Sequence, residues 1–359
     1  MKIEKIDPNF SSNTIGDLEL KSVNVQDVPE CLHGFPWFKE EKCFRRLPTK
    51  LSDNINDGVK SLAECSAGVR VRFKTDSKTI GIKATMKCIN DMGHMPRSGY
   101  AGFDLYTVQD NTEFFSGNIF PDFQSSSLAK LFPAFNKREN RELVIYLPLY
   151  SGVESLEIGI EPEASFAPAT PYRINKPILY YGSSITQGGC ASRQGTAYQG
   201  FISRWLNADF INLGFSGSAK GEPEMAELIA SREQSAFVLD YDHNAPNVEY
   251  LAATHDQFFQ IFRDTQPTTP VVMVSMPDFK NNPDNIEVNT QRRKIIRKTY
   301  LAAQAAGDQQ VFFVDGETLF GNDNVDACTV DRCHPNDIGF FRMAKGISVT
   351  LQKALRIII

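Results

Sequence analysis

Residues 178–188 read Ile-Leu-Tyr-Tyr-Gly-Ser-Ser-Ile-Thr-Gln-Gly. The apolar run at 178–181 is unbroken, as in strands that are buried on both faces of a parallel sheet. Gly182 permits a tight turn into a helix, and a hydroxyl at the start of that helix lies where the helix dipole stabilises negative charge. Ser184 therefore has the setting of a nucleophile, although serine and threonine at such a turn are also ordinary helix caps.

The rest of the second half repeats this alternation of strand and helix. Four more compact apolar runs follow, at 210–213, 236–241, 271–276 and 311–315. Helical stretches lie between the runs, at 198–206, 222–230, 254–263 and 291–306. This order predicts a five-stranded parallel sheet covered by helices on both faces, an α/β/α domain. Ligands bind beyond the carboxyl ends of such strands, so functional residues are expected directly after the apolar runs.

The first half has the pattern of an all-β domain. Apolar and polar residues alternate at 68–73, and similar short runs follow at 79–86, 100–108, 143–147 and 156–160. Short strands at this spacing predict a sandwich or jelly roll. The proline-rich stretch 161–171 is typical of a connector. We therefore predict a β domain at residues 1–168 and the α/β/α domain at residues 169–359.

Polar residues follow the second and third apolar runs of the α/β half. Gly214 and Gly217 can bring backbone N–H groups close to a substrate oxygen, but they also fit a tight turn or a phosphate cradle. Asn244 carries a side-chain N–H for an oxyanion, although its Asp- and Pro-rich surroundings favour a plain turn as well. A nucleotide site is disfavoured because the sequence has no P-loop lysine and no GxGxxG pattern.

The last polar cluster is Asp331-Arg332-Cys333-His334-Pro335. A carboxylate three residues before a histidine can fix the imidazole tautomer, so that the other ring nitrogen accepts a proton. Nucleophile, oxyanion donors, orienting acid and base are the parts that acyl transfer needs. All of them follow predicted strands of one sheet.

Residues 175–359 resemble the SGNH/GDSL hydrolase family, whose α/β/α domain is flavodoxin-like. The stretch 182–188 is similar to the first family block, GDSxTxG, with Ser184 as the nucleophile and Ser183 in place of the common aspartate. The DxxHP pattern matches the last block. The resemblance implies that Asp331 and His334 complete the catalytic set with Ser184.

This sequence matches the two middle blocks of the family less closely than the first and the last. The resemblance implies an oxyanion hole formed by Ser184, Gly217 and Asn244. Asp242 and His243 replace the glycines that usually precede the family asparagine. We expect Asp242 and His243 to lie among the substrate-binding residues.

The first half resembles the GxDLY β-sandwich domain found before certain SGNH esterases, through Gly102-Phe103-Asp104-Leu105-Tyr106. The resemblance implies a serine esterase acting on a small acyl ester, with acetyl favoured, on a carbohydrate. An acyltransferase using the same Ser184 and a carbohydrate-binding protein with a vestigial site are the alternatives. The aromatic residues of 34–38 can stack on a sugar ring or, as large aromatics more often do, pack in the core.

The net charge and the cysteine content of the 359-residue sequence argue against several other classes of protein. A net charge of −5 with scattered Lys and Arg argues against nucleic acid and anionic membranes as partners. Seven dispersed cysteines fit free thiols, and no zinc motif is present, so we expect no metal and no other cofactor. No signal peptide is visible, which indicates a cytoplasmic protein unless a signal was trimmed. The expected partner is a small-molecule or oligosaccharide ester, and the oligomeric state is left open.

Overall fold

The computed structural model describes residues 14–15, 18–277 and 285–357. The described part of the first half contains short helices and mainly antiparallel strands. These are β1 (Thr14–Ile15), β2 (Leu18–Glu19), β3 (Lys21–Asn24), β4 (Leu32–His33), α1 (Phe38–Glu41), α2 (Asp57–Leu62), β5 (Arg70–Thr75), β6 (Ile80–Ile89), α3 (Arg97–Tyr100), β7 (Phe103–Gln109), β8 (Thr112–Ile119), β9 (Ser127–Leu131), β10 (Arg141–Tyr146), β11 (Ser151–Ile160) and β12 (Ala167–Pro168).

The second half alternates strands and helices, as the sequence predicts. Its elements are β13 (Ile174–Gly182), α4 (Ser184–Gln187), α5 (Tyr198–Leu206), β14 (Ala208–Gly214), α6 (Pro223–Ala230), β15 (Ala236–Asp240), α7 (Val248–Thr265), β16 (Val271–Val274), α8 (Ile286–Ala305), β17 (Val311–Val314) and α9 (Asp337–Ala354).

The parallel sheet of the second half has the strand order β14-β13-β15-β16-β17. This is the flavodoxin-like order, so the predicted fold class is confirmed. Successive residues of β13 point into opposite cores, Tyr180 into one with α5 and α9, and Tyr181 into the other with α6, α7 and α8. The carboxyl ends of β14, β13 and β15 meet at one edge of the sheet.

Two large antiparallel sheets build the described part of the first half, in the orders β12-β5-β10-β7-β8 and β3-β11-β6-β9, with β4 paired to β5. Strands β1 and β2 pair with each other in a separate small sheet. Apolar residues of both sheets fill one core, for example Phe73 of β5 and Ile82 of β6. The antiparallel β-rich domain is therefore as predicted, whereas jelly-roll connectivity and the boundary at 168 stay predictions. Phe35, Trp37 and Phe38 are buried, so the structure supports the core interpretation of this aromatic segment.

The outer face of the larger sheet packs on the second half. Tyr106 and Val144 of this face share a core with Tyr180 and Ile202. Asp104 of the GxDLY stretch is buried and accepts the Gly195 N–H at 2.8 Å. Asp104 thus holds the turn that leads into α5. Among the described residues, no helix combines the length and apolar character needed to cross a membrane.

Arg46 joins the first half to the end of β14. Its buried guanidinium donates to the carbonyls of Asn212 at 2.9 Å and Gly214 at 2.7 Å, and to two carbonyls of its own half. The same group lies 4.7 Å from the ring centre of Phe215. Burial lowers the Arg46 pKa to about 10, so the side chain stays cationic at neutral pH.

Replacing Arg46 by methionine is expected to lower the free energy of unfolding by roughly 3 kcal/mol, because each buried carbonyl left without a donor costs about 1–3 kcal/mol. Chemical denaturation of the two proteins measures the difference. Arg45→Met is the matched control, since Arg45 lies nearer the surface and pairs with Glu64 at 3.3 Å. Arg45 also donates to one carbonyl, that of Lys60 at 3.1 Å, so its loss is expected to be about 1 kcal/mol. Equal losses in the two variants would contradict this role for Arg46.

Candidate active site

The turn between β13 and α4 places Ser184 at the first residue of the helix. An added Cβ on Gly182 would overlap the Asp240 carbonyl oxygen and the Thr186 hydroxyl, so only glycine fits this close approach. Ser183 caps the helix by accepting the Ile185 N–H at 3.2 Å. The two adjacent serines therefore differ in position, Ser184 inside the helix and Ser183 at its cap.

Ser184, His334 and Asp331 lie in one hydrogen-bonded chain. The distance from Ser184 Oγ to His334 Nε2 is 2.9 Å, and that from His334 Nδ1 to Asp331 Oδ2 is 2.7 Å. Asp331 and His334 stand on the loop before α9, which reaches back over the carboxyl edge of the sheet. The structure thus brings together three of the predicted site residues in the order that a serine nucleophile, a base and an orienting acid require.

Asp331 is held by the backbone as well as by the imidazole. Its Oδ1 accepts the N–H groups of Cys333 at 3.0 Å and His334 at 2.7 Å. Burial raises the pKa of Asp331, but these hydrogen bonds and the contact with His334 outweigh burial and keep the pKa below its ordinary value. The carboxylate is therefore ionised at neutral pH and orients the His334 ring.

The three predicted oxyanion donors are the N–H groups of Ser184 and Gly217 and the side chain of Asn244. Within the part of the chain that the structure describes, no acceptor takes up the N–H of Ser184 or of Gly217. Gly217 has a φ of 64°, the left-handed region that favours glycine. Asn244 Nδ2 donates one hydrogen to the Phe215 carbonyl at 3.0 Å, which leaves its second hydrogen available. The predicted oxyanion donors thus come from three neighbouring strand ends.

A second Ser-His-Asp chain runs beside the first. Ser183 Oγ lies 2.7 Å from His243 Nε2, and His243 Nδ1 lies 2.6 Å from Asp242 Oδ1. The Met276 N–H donates to the other oxygen of Asp242 at 3.0 Å. Both hydrogen-bonded series consist of a serine, a histidine and an aspartate. The nucleophile must therefore be chosen from the exposure and the other contacts of these residues.

Exposure separates the two chains. The side chain of Asp242 is 1% exposed and that of His243 10%, against 40% for Asp331 and 25% for His334. The Ser183 hydroxyl is fully buried and already serves as the helix cap. Asp331 and His334 are therefore open to solvent beside Ser184, which is 7% exposed, whereas Ser183, His243 and Asp242 are enclosed by the protein.

The contact between Asp242 and His243 favours the charged form of each side chain. Burial alone would lower the pKa of His243, but the hydrogen bond and charge of Asp242 raise it above the ordinary value. Burial opposes the ionisation of Asp242, yet the contact with His243 and the Met276 N–H lower its pKa. Both oxygens of Asp242 are engaged, which favours a positioning role over the substrate-binding role predicted from the sequence.

The first half also contributes residues to this site. Tyr150 donates its hydroxyl hydrogen to the Ser184 carbonyl at 3.2 Å. The ring of His94 lies 5.9 Å from that of His334. Sequence reasoning missed Tyr150, His94 and the hydrogen-bonding role of Ser183. Ser183 stands within the first family block, and Tyr150 ends the stretch 146–150, which also fits the GxDLY subfamily.

Known proteins share this fold and these motifs. A model of the GDSL-like lipase/acylhydrolase family matches residues 175–352. A model of the GxDLY domain, the N-terminus of SGNH-hydrolase-type esterases, matches residues 20–166. A Bacteroides ovatus protein assigned as a GDSL-like lipase is 30% identical, with a TM-score of 0.85 over 94% of this chain and 98% of that chain. The fold and these matches define a carboxylic ester hydrolase. The chain belongs to the GDSL-like lipase/acylhydrolase family.

Two more distant structures share the fold. A salicylyl-acyltransferase from a tetracycline biosynthetic pathway is 19% identical, with a TM-score of 0.77 over 94% of this chain and 99% of that chain. An acetyl xylan esterase from the rumen bacterium Butyrivibrio proteoclasticus is 14% identical, with a TM-score of 0.56 over 94% of this chain and 99% of that chain. No curated protein sequence matches this chain significantly.

Proposed function

We propose that this protein is a serine esterase that removes a small acyl group, with acetyl favoured, from a carbohydrate. The observation that carries the proposal is the hydrogen-bonded chain from Ser184 through His334 to Asp331. A non-catalytic binding protein would not need this complete chain with its nucleophile at an accessible strand end. That alternative is therefore disfavoured.

In the proposed reaction, Ser184 Oγ attacks the ester carbonyl while His334 Nε2 takes its proton. The tetrahedral intermediate collapses, and His334 returns the proton to the departing alcohol. A water molecule then attacks the acyl-enzyme in the same way and releases the acid. Asp331 holds the imidazole in the tautomer that leaves Nε2 free to accept, and it stabilises the imidazolium that forms in each half-reaction.

The negative charge on the carbonyl oxygen requires donors that are in place beforehand. The N–H groups of Ser184 and Gly217 are without acceptors among the described residues, and Asn244 has one free N–H. Gln187 supports this arrangement by accepting the Ser216 N–H at 2.9 Å. The loop after β14 is thereby tied to α4, which keeps Gly217 close to the nucleophile.

Replacing Asn244 by alanine is expected to lower kcat by roughly 10²–10³-fold with little change in KM, because one oxyanion donor acts mainly in the transition state. Steady-state kinetics on p-nitrophenyl acetate measures both constants. Asn247→Ala is the matched control, since Asn247 caps α7 by accepting the Tyr250 N–H at 2.7 Å. The control is expected to lose about 1 kcal/mol of stability and to keep its kcat. A near-wild-type kcat for the Asn244 variant would remove Asn244 from the mechanism.

The carbohydrate part of the proposal rests on a cavity in the first half of the chain and on the relatives. The loop after β6 carries His94 to the catalytic histidine, and a cavity of about 340 Å³ lies beside this loop. Asp91, Arg97 and the exposed ring of Phe123 line the cavity. An exposed aromatic ring flanked by charged hydrogen-bonding groups suits a sugar, and the printed name of one relative is acetyl xylan esterase.

Transfer to an alcohol instead of water is the second candidate, because a salicylyl-acyltransferase shares the fold. The test compares acetate release from acetylated xylo-oligosaccharides with hydrolysis of p-nitrophenyl acetate and butyrate, with Ser184→Ala as the blank. Products are also analysed with added alcohol or sugar acceptors. We expect acetate release, a preference for acetyl over butyryl, and hydrolysis as the main path. Turnover of bulky esters without release of sugar-bound acetate would overturn the substrate class, and predominant transfer would overturn hydrolysis.

A further inference from the structure

His334 belongs to a second group of side chains that the proposed reaction does not use. One ring nitrogen each of His94 and His334 and the Sγ of Cys190 lie within 4.8 Å of one another. The three residues come from separate segments, namely the loop after β6, the loop after α4 and the loop before α9. Two imidazoles and a thiol are ligands typical of Zn²⁺.

We propose that His94, Cys190 and His334 form a Zn²⁺ site and that its occupation inhibits the enzyme reversibly. The inhibition, but not the binding, rests on the role proposed above for His334. None of the four family blocks includes His94 or Cys190.

The geometry requires only a small adjustment. Tetrahedral Zn²⁺ with bonds of about 2.0–2.1 Å to nitrogen and about 2.3 Å to sulfur places its ligand atoms roughly 3.3–3.7 Å apart. Separations of up to 4.8 Å must therefore shrink by about 1.1–1.5 Å. His94 is exposed, so its ring can rotate toward the other two ligands.

Cys190 is the fixed member of the group. Its φ of 74° places it in the left-handed region. The neighbouring Ser192 N–H donates to Asp337 Oδ1 at 2.8 Å, and the Ser98 hydroxyl donates to the Ser192 carbonyl at 2.7 Å. The loop is therefore held from α9 and from the first half at once. This anchoring fixes the backbone of the loop that carries the thiol.

Metal binding removes the proton of the Cys190 thiol and uses the Nε2 lone pair of His334. Burial, with a smaller contribution from Asp331 and Cys333, raises the pKa of the Cys190 thiol to about 12, so the free thiol is protonated at neutral pH. Zn²⁺ displaces this proton to solvent as the Zn–S bond forms. Asp331 holds Nδ1 of His334, which leaves Nε2 for the metal. The lone pair that would accept the Ser184 proton is then used by Zn²⁺.

The test combines a binding readout with an activity readout on the full chain. Co²⁺ serves as the optical probe, since a cobalt–thiolate bond absorbs in the near ultraviolet. Zn²⁺ is titrated against p-nitrophenyl acetate hydrolysis, with activity expressed relative to that of the same protein in EDTA. The variants are Cys190→Ser and His94→Gln, and Cys43→Ser is the control because Cys43 is a partly exposed thiol outside the group.

We expect one Co²⁺ per chain with a thiolate band, and inhibition by Zn²⁺ that EDTA reverses. The affinity for Co²⁺ and the inhibition by Zn²⁺ should each weaken by at least about tenfold in Cys190→Ser and His94→Gln. Both should stay unchanged in the control. Metal binding that is the same in all variants would overturn the site. Binding that depends on Cys190 but leaves turnover unchanged would overturn the inhibition and count against His334 as the base.

Discussion

Ser184→Ala is expected to lower kcat for p-nitrophenyl acetate by roughly 10⁴-fold or more, because loss of the nucleophile removes the acyl-enzyme route. The Ser184 hydroxyl is the group that His334 Nε2 contacts at 2.9 Å, and it stands at the accessible edge of the sheet. The residual rate would come from the oxyanion donors and binding alone. Circular dichroism and the thermal midpoint check that the variant is folded.

Ser183→Ala is the matched control for this prediction. It removes a hydroxyl from the adjacent residue and breaks the contact with His243, but it leaves the Ser184 chain in place. Its effect is expected to follow from the lost helix cap, about 1 kcal/mol of stability, with a far smaller loss of kcat. A larger loss of kcat in Ser183→Ala than in Ser184→Ala would identify Ser183, and not Ser184, as the nucleophile.

His334→Gln is expected to reduce kcat by roughly 10⁴-fold, since the side-chain amide of glutamine cannot accept the serine proton. Glutamine resembles histidine in size, so the surrounding loop is expected to stay intact. Steady-state kinetics and the thermal midpoint measure the two effects separately. His94→Gln is the matched control, because His94 carries the neighbouring imidazole and makes no contact with Ser184 among the described hydrogen bonds.

Asp331→Asn extends the same test. Its Oδ1 can still accept the N–H groups of Cys333 and His334, but its Nδ2 cannot accept the hydrogen on His334 Nδ1. The ring would then favour the other tautomer, and turnover is expected to fall without being abolished. Wild-type activity in both His334→Gln and Asp331→Asn would eliminate the proposed base.

The fold could be predicted from the sequence because its signals are local. Unbroken apolar runs such as 178–181 mark the strands that are buried on both faces, and the observed β13 extends this run to Ile174–Gly182. Helix α5 has the predicted limits, Tyr198 to Leu206. The helix α9, Asp337–Ala354, was not among the predicted helices. Its N-cap, Asn336, directly follows the DxxHP pattern.

The site could be predicted only as far as its motifs reach. Ser184, Asp331 and His334 stand in motifs, so sequence alone could bring them together. The contact of Ser183 with His243 could not be foreseen, since Asp242 and His243 lie about 60 residues from Ser183 in the sequence. His94 and Tyr150 come from the other half of the chain. Their place beside the site depends on how the larger β sheet packs on the second half.

The measurement that tests the central claim most directly is the location of a fluorophosphonate adduct. The protein is treated with the reagent, digested, and analysed by mass spectrometry while loss of esterase activity is followed. The account predicts one adduct per chain on Ser184, formed in parallel with the loss of activity and absent in Ser184→Ala and His334→Gln. An adduct on Ser183, or full activity in a protein without an adduct on Ser184, would contradict the account.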